Sequence, residues 1–271
     1  GGGNFGVVTS LEFEAHPVGA QIHAGMRWFP LDRAPEVLAA YERVTAEAPR
    51  ELATLLVMRK APTAAPVPEW LQGQPAVGVA AAFTGPIEDG PDTLRPLTDL
   101  PEPAVDVFGP KPYAAFQQVL DAGQPFGRRY YWKTHYLPSW DARAGETLAT
   151  HAARVVSPHS AILCLHLGGA IADVPEADSA VANRDARFVV NIQGAWEVAD
   201  EDTEQIRWVR DCWEATRPWG RGQYVNFLGN DADRSALEAA YGKDRLERLA
   251  RVKQSWDPDN LFRMNHNIAP A

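Results

Sequence analysis

Hydrophobic and polar positions alternate along this chain at two different periods, and the switches between them mark its elements. Val7, Thr9, Leu11 and Phe13 alternate with Ser10, Glu12 and Glu14. That period of two predicts a strand, closed by His16-Pro17-Val18-Gly19. A second strand is predicted over residues 21–29, ending at Pro30. Asp32 stands where a helix cap is expected, ahead of Val37, Leu38, Tyr41 and Val44 on one helical stripe. Strand-like runs follow at residues 52–59 and 76–83, joined by a Pro/Ala-rich connection at 61–68. A short helix near 91–97 and a short strand at 104–108 complete the unit. Strand, helix, strand, strand, helix, strand is the ferredoxin-like order.

The pattern then partly recurs. A helix near 113–122 precedes a strand at 128–137, a helix at 141–155, and strands at 161–167 and 187–196. Residues 203–216 form an amphipathic helix with Ile206, Val209, Cys212 and Trp213 in register. The two halves share no sequence similarity strong enough to count as a repeat. The fold class implied is α+β: a large, mostly antiparallel sheet with helices on one face, in two ferredoxin-like halves. After residue 217 the character changes. Residues 221–228 read as extended, and 233–241 and 243–255 as helices, the second with Leu246, Leu249 and Val252 on one stripe. Asp257-Pro258 stops that helix. The tail then runs Asp259-Asn260-Leu261-Phe262-Arg263-Met264-Asn265-His266-Asn267-Ile268, rich in amides and without helical periodicity.

Charge and composition narrow the function classes. A net charge of −9 opposes binding to nucleic acid or to an anionic membrane. No run of 18 apolar residues exists, so no transmembrane helix is expected. No signal peptide is visible, and a cytoplasmic location is the expectation. The two cysteines, Cys164 and Cys212, lie in apolar runs and read as buried small hydrophobes rather than a redox pair. The seven histidines show no metal-ligand spacing, so no metal is expected. Neither a nucleophile elbow nor a phosphate-binding loop of the nucleotide-triphosphatase kind is present.

Several short patterns could carry chemistry. Gly1, Gly3 and Gly6 match G-x-G-x-x-G, but a dinucleotide fingerprint needs a strand before it and a helix after it, and here a strand is predicted to follow. What remains is a glycine-rich loop, either a flexible leader or bare backbone able to approach a planar ring or phosphate. Tyr224 and Asn226 fall on one face of the extended run, and Asn191 and Gln193 repeat that geometry elsewhere. Buried strand amides need partners, so Asn191 and Gln193 mark either a polar pocket or an open sheet face. Lys133 and His135 share a face with Tyr131 in a dense aromatic strand, which serves a pocket or core packing equally well.

The two ends together are more specific than any one pattern. GGGNFGVVTSLEFEAHPVG at the start resembles the last segment of the flavin domain in berberine-bridge-enzyme-like FAD-linked oxidases. YVNFLGND, AYG and RLARVKQSWDPDNLFRMNHNI resemble that family's C-terminal segment. The resemblance covers the whole chain, weakly in the middle. It implies three parts: residues 1–19 as the end of an FAD-binding domain, 20–217 as the substrate-binding domain, and 218–271 as a helical segment returning to the FAD domain. It further implies that Gly3, Asn4, Phe5, Gly6 and Val8 lie along the cofactor, with Asn226, Asn260, Phe262, Asn265 and Asn267 completing its cradle. Tyr224 matches the tyrosine of the family's Tyr-x-Asn motif, which sits over the flavin and acts as base. Gln193 and, more loosely, Asn191 match positions on the substrate side; several relatives carry lysine in place of Asn191. Lys133 and His135 join them as substrate-binding candidates.

The chemistry implied is oxidation of an alcohol, sugar or secondary metabolite, with O2 as acceptor. Hydride goes to the flavin and a proton to a base. A free tyrosine ionises near about pH 10, so a tyrosine base needs help from donors or a nearby cation, and Gln193 and Lys133 are the candidates. The histidine and cysteine that anchor FAD in the family have no counterpart here, so this chain is expected to bind FAD weakly or not at all without a separate FAD domain as partner. Cys164 and Cys212 are not attachment points. The competing readings are a ligand-binding module without catalysis and a partner-binding α+β domain. The Ala- and Arg-rich composition suggests a bacterial source.

Overall fold

The computed structural model describes residues 2–229 and 231–271, without the side chains of Thr98, Asp99 and Ala122. Gly1, the first glycine of the G-x-G-x-x-G match, lies outside the described residues. Eight strands form one antiparallel sheet: β1 (Gln21–Pro30), β2 (Leu52–Lys60), β3 (Pro75–Phe83), β4 (Val105–Asp106), β5 (Gly109–Pro112), β6 (Arg129–Leu137), β7 (Ala161–His166) and β8 (Phe188–Trp196). The helices are α1 (Ala34–Ala46), α2 (Gly90–Leu94), α3 (Tyr113–Phe116), α4 (Ala142–Ala152), α5 (Ala170–Asp173), α6 (Asp202–Thr216), α7 (Arg234–Tyr241) and α8 (Lys243–Trp256).

The strand order is β4-β1-β3-β2-β7-β8-β6, with β5 also on β1. Within the first half this is the ferredoxin-like arrangement, the fourth strand beside the first and the third between first and second. The second half repeats it. Its strands run β7-β8-β6, and the place of its fourth strand beside β6 is reduced to one bridge, Tyr136 to Arg221. The halves join through β2 and β7, with Leu56 opposite Cys164.

Strand alternation sends one set of side chains under the helices. Phe29, Leu56, Met58, Val79, Leu137, Ile162, Cys164, Phe188, Val190 and Ile192 meet α1, α4 and α6 in the main core. Tyr41 of α1 is fully buried there, its hydroxyl 2.8 Å from Thr54 Oγ1. The other face is covered differently. Trp28, Val57, Ala76 and Ala161 take Val67 and Leu71 from the irregular connection between β2 and β3. Tyr136 and Val189 take Ala186 and Tyr224.

Three expectations are corrected. Residues 6–19 carry no strand: Val7, Leu11 and Phe13 are 71–80% exposed. Alternation satisfied the local rule, but a strand exists only with a partner for its hydrogen bonds, and no strand among the described residues pairs with this segment. Asp32 does not cap α1; it sits in a one-turn 3-10 helix, and the position before α1 is Arg33 with no side-chain cap. The helix near 113–122 shrinks to α3 and a separate turn at Asp121–Gly123.

Candidate functional site

The site grows from the open edge of β6. Residues 221–229 run along that edge, tied at Arg221 to Tyr136 by two backbone hydrogen bonds of 2.8 and 3.0 Å. Such cover prevents an edge strand from pairing with another chain. Tyr224 N donates to Thr134 Oγ1 at 3.0 Å, and Thr134 lies opposite Asn191 in the β6–β8 register. Tyr224 therefore stands over the face that carries Asn191, Gln193, Trp132 and Tyr136. Its ring meets Tyr136 and Phe227 edge-on at 6.4 and 5.3 Å, and Phe227 meets Trp132 at 5.1 Å.

Tyr224 is extended as expected, but Val225 and Asn226 are not. A 3-10 turn begins at Val225, and it folds the Asn226 amide back so that Nδ2 donates to the Tyr224 hydroxyl at 2.7 Å. The pairing expected from strand alternation is thus delivered by a turn. On the sheet, Gln193 and Gln124 exchange two amide hydrogen bonds of 3.3 and 3.4 Å. Asn191 is 2% exposed, yet its Oδ1 has no partner among the described residues, and neither has the buried Trp132 Nε1. Buried polar atoms without partners cost about 1–3 kcal/mol each and call for an explanation.

Lys133 and His135 lie on the opposite face. Lys133 is opposite Ile192, and both point to the helices. His135 stacks on Trp213 of α6 at 5.1 Å and meets Trp213 O at 2.9 Å, and burial holds its imidazole below the ordinary value. Lys133 Nζ sits 3.4 Å from Asp231 Oδ1, and Asp231 also takes Tyr131 OH at 2.6 Å and Arg210 Nη2 at 3.0 Å. Burial opposes the charge on Asp231, but those three donors hold its carboxyl below the usual range. The sheet stands between these residues and Tyr224, so the structure does not bring Lys133 and His135 to Asn191 and Gln193. Alternation fixed that Lys133 and His135 share a face; it left open which face, because both sides of β6 are aromatic.

The two chain ends meet. Asn4 is 2% exposed; its Nδ2 donates to His266 O at 3.1 Å, and its Oδ1 accepts Ile268 N at 2.8 Å. Asn265 Nδ2 donates to Gly2 O at 3.0 Å. Gly3 has φ +75°, and a Cβ there would stand 3.1 Å from Asn265 Nδ2, so only glycine suits the contact. Beneath this junction Lys253 is wholly buried. Its ammonium donates to Asn4 O and Asp257 Oδ2 at 2.5 Å and to Phe262 O at 2.7 Å. Asp257 also accepts the backbone N–H of Leu261 and Phe262. Burial works against its charge, but Lys253 and those N–H groups outweigh burial and hold the carboxyl at about 2. Sequence reading placed α8 by its apolar stripe and gave no sign of this buried lysine.

A cleft of about 1010 Å³ opens between the tail and α7–α8, with Gly2, Asn4, Asn226, Asn265 and Asn267 on its wall. A smaller cavity of about 130 Å³ adjoins Tyr136, Tyr224, Asn226 and Gly2. Asn226 and Gly2 line both, which links the glycine loop, the asparagine tail and Tyr224. Phe5 packs with Leu237, Tyr241 and Ile268 under the same junction. Asn260 takes φ +51° with Oδ1 buried and unpartnered among the described residues; Phe262 is half-buried beside it. Gly6 and Val8 are exposed beyond the junction. No cluster of three or more His, Cys, Asp or Glu among the described residues is placed to hold a metal, and no described helix is long and apolar enough to cross a membrane.

Residues 223–269 match the family model described as berberine and berberine like. Over 274 residues the chain is 27% identical to an FAD-linked oxidoreductase of Dictyostelium discoideum, covering 99% of this chain and 56% of the relative. The fold is shared with 6-hydroxy-D-nicotine oxidase of Arthrobacter nicotinovorans (TM-score 0.81, 20% identity, 99% of this chain and 59% of that one). It is also shared with a berberine-bridge-enzyme-like protein of Physcomitrella patens (TM-score 0.78, 16% identity, 94% and 55%). The chain therefore spans a little over half the length of the proteins it matches. Along its whole length it is similar to FAD-linked oxidoreductases, and at its C-terminal end it matches the berberine and berberine-like family model.

Proposed function

We propose that this chain forms the substrate side of an FAD-dependent oxidoreductase that oxidises an alcohol, a sugar or a secondary metabolite, with Tyr224 as the base. The single observation that carries the reading is the Asn226 Nδ2 to Tyr224 OH hydrogen bond of 2.7 Å, on the sheet face that also bears Asn191 and Gln193. An N–H aimed at the phenol oxygen stabilises negative charge there when its proton has left. The backbone tie from Tyr224 N to Thr134 Oγ1 fixes the ring against the sheet, so the oxygen is positioned before substrate arrives.

The residues present fit a flavin. The described part of the glycine loop meets the amide tail beside Tyr224, and Val7, Val8, Leu11 and Phe13 leave an apolar strip 71–80% exposed, the kind of surface that another body covers. Gly3, Asn4, Phe5, Gly6 and Val8 on one side and Asn226, Asn260, Phe262, Asn265 and Asn267 on the other would hold it. The flavin, when bound, supplies the hydride acceptor, which no side chain provides. The other partner in this reading is an FAD domain, equivalent to the part of the relatives that this chain does not match.

The test is Tyr224→Phe in the FAD-loaded protein, followed by anaerobic flavin bleaching with a panel of sugars and alcohols. Turnover is expected to fall by roughly two or more orders of magnitude with the flavin spectrum unchanged. An undiminished rate removes Tyr224 from the chemistry.

A further inference from the structure

The sheet face beneath Tyr224 carries positive charge that the proposed base does not use. Arg59 lies on that face, because it alternates with Met58, which points to the helices. Its Nη2 donates to Pro158 O at 2.8 Å, while its Nε–H is buried with no partner among the described residues. Beside Pro158, His159 Nε2 lies 3.3 Å from Glu197 Oε1, and the same oxygen lies 3.8 Å from Arg128 Nη2. Arg128 Nη1 donates to Gly123 O at 3.2 Å. One guanidinium group, that of Arg128, and the His159 imidazole thus share one carboxylate, and Arg59 has no carboxylate partner among the described residues. That carboxylate is 69% exposed, whereas the Arg128 side chain is 12% exposed. Burial, and then Arg128, push Arg59 below the usual guanidinium value; the same two causes, in the same order, lower His159. In a chain of net charge −9, a half-buried excess of cations is not explained by solubility.

The register shows where these groups stand. Trp132 is opposite Gln193, Gln193 is opposite Ala161, and Arg59 lies one residue past Met58, the partner of Ile162. Trp132, Gln193, Ala161 and Arg59 therefore form one row across four strands, with only the small Ala161 between Gln193 and Arg59. Two buried N–H donors without partners, Arg59 Nε and Trp132 Nε1, belong to this row. The unpartnered acceptor Asn191 Oδ1 is one row on, about 7 Å along the strands and next to the Thr134 that holds Tyr224.

We propose that this row is a carboxylate-binding subsite: the substrate is an organic acid whose carboxylate is held by Arg59 and Arg128, with its reacting hydroxyl at the Tyr224 end. Donors wait at the arginine end for an acceptor-only group, and Asn191 Oδ1 waits at the other end for an O–H. Guanidinium groups match a carboxylate in shape as well as charge. Tyr130, Trp132 and Phe227, joined edge-to-face at 5.7 and 5.1 Å, give the lane an aromatic wall suited to a flat body between the two ends. This names the substrate class for the function proposed above and rests on it for the placement of the hydroxyl.

The experiment titrates the 15N-labelled chain with 4-(hydroxymethyl)benzoate and, separately, with 4-(hydroxymethyl)benzamide at constant ionic strength, reading the arginine Nε–H resonances. The acid is expected to shift Arg59 and Arg128 and to bind about ten-fold or more tightly than the amide. Arg59→Gln is expected to abolish that preference while leaving the affinity for the amide in place, and Arg59→Lys to restore part of it. Should Arg59→Gln fail to fold by circular dichroism, Arg128→Gln carries the same test. Equal affinity for acid and amide, or a preference that survives both arginine substitutions, overturns the proposal. The readout needs no flavin, so its failure leaves the role of Tyr224 standing, and a fully active Tyr224→Phe protein leaves the carboxylate subsite standing.

Discussion

The two faces of the sheet bury side chains to the same depth and for opposite purposes. All nine positions of β8 are buried. Phe188, Val190 and Ile192 enter the core under α1, α4 and α6, within one continuous cluster of apolar and aromatic side chains. One residue away each time, Val189, Asn191 and Gln193 face the other side, where amides lie against Trp132, Thr134 and Gln124 and some polar atoms have no partner. Burying apolar area on the first face stabilises the fold by roughly 25 cal/mol per Å². Burying an amide on the second face costs free energy unless something hydrogen-bonds it. The contrast teaches that burial alone does not locate a site in this protein; unsatisfied burial does.

The comparison breaks first at Phe188. Its side chain is fully buried, its ring is 4.1 Å from Trp140, and the Arg187 guanidinium lies over it at 5.1 Å. Phe188→Ala is expected to cost about 3–5 kcal/mol of stability, measured by urea denaturation. A loss below about 1 kcal/mol would mean the helix-side core collapses freely around the gap and is not the rigid half of the pair.

The junction of the chain ends belongs to neither face, and it tests whether a polar knot can match an apolar core. Lys253→Ala strands the Asp257 carboxylate and the carbonyls of Asn4 and Phe262 in a buried place. The expected cost is about 3 kcal/mol, because removing one member of a buried pair leaves the other uncompensated. The same variant should free residues 2–5 from the tail, read as faster amide exchange at Asn4 and Ile268, whose side-chain and backbone groups are bonded to each other. Unchanged exchange there would show that the Asn4 and Asn265 side chains hold the ends together without the lysine.

Much of this architecture is legible in the sequence, and the parts that are not share a cause. Helices α1 and α6 and strands β1, β2, β3, β6, β7 and β8 follow from local periodicity, which the chain writes within about ten residues. The meeting of the ends is legible only through their joint resemblance to a family, since 262 residues separate Asn4 from His266. Strand alternation set Lys133 and His135 together but could not choose their face, and residues 7–13 satisfied the strand pattern without a partner. Arg59 was hidden for the same reason: the Pro158 carbonyl that accepts its Nη2, and the Arg128 charge it feels, lie far along the chain.

Acid gives a gentler probe of the polar junction. The Asp257 carboxyl is held at about 2 in the folded protein, while an unfolded aspartate titrates near about 4. A carboxylate with a depressed folded value contributes stability that is complete above the unfolded value and is lost as pH falls toward the folded one. Melting temperature should therefore fall between about pH 4 and pH 2, and Asp257→Asn should flatten that part of the profile. An identical slope in the variant would assign the acid sensitivity to other carboxylates, such as Asp231 or Asp185, which are also held below their usual range.

The smallest expected effect is the most diagnostic of the two faces. Asn191→Leu keeps the approximate volume and removes a buried oxygen that has no partner among the described residues. Its neighbours across the sheet are Leu163 and Thr134, so an apolar side chain meets one apolar partner and one methyl group. The desolvation cost of the amide disappears, and stability is expected to stay level or rise by up to about 1 kcal/mol. If Asn191→Leu instead lowers stability by more than about 1 kcal/mol, the amide is structural and the second face is an ordinary core with polar members. If stability holds while the affinity for 4-(hydroxymethyl)benzoate drops, Asn191 was retained at a cost to folding, and that cost is offset only when a ligand hydroxyl reaches Oδ1.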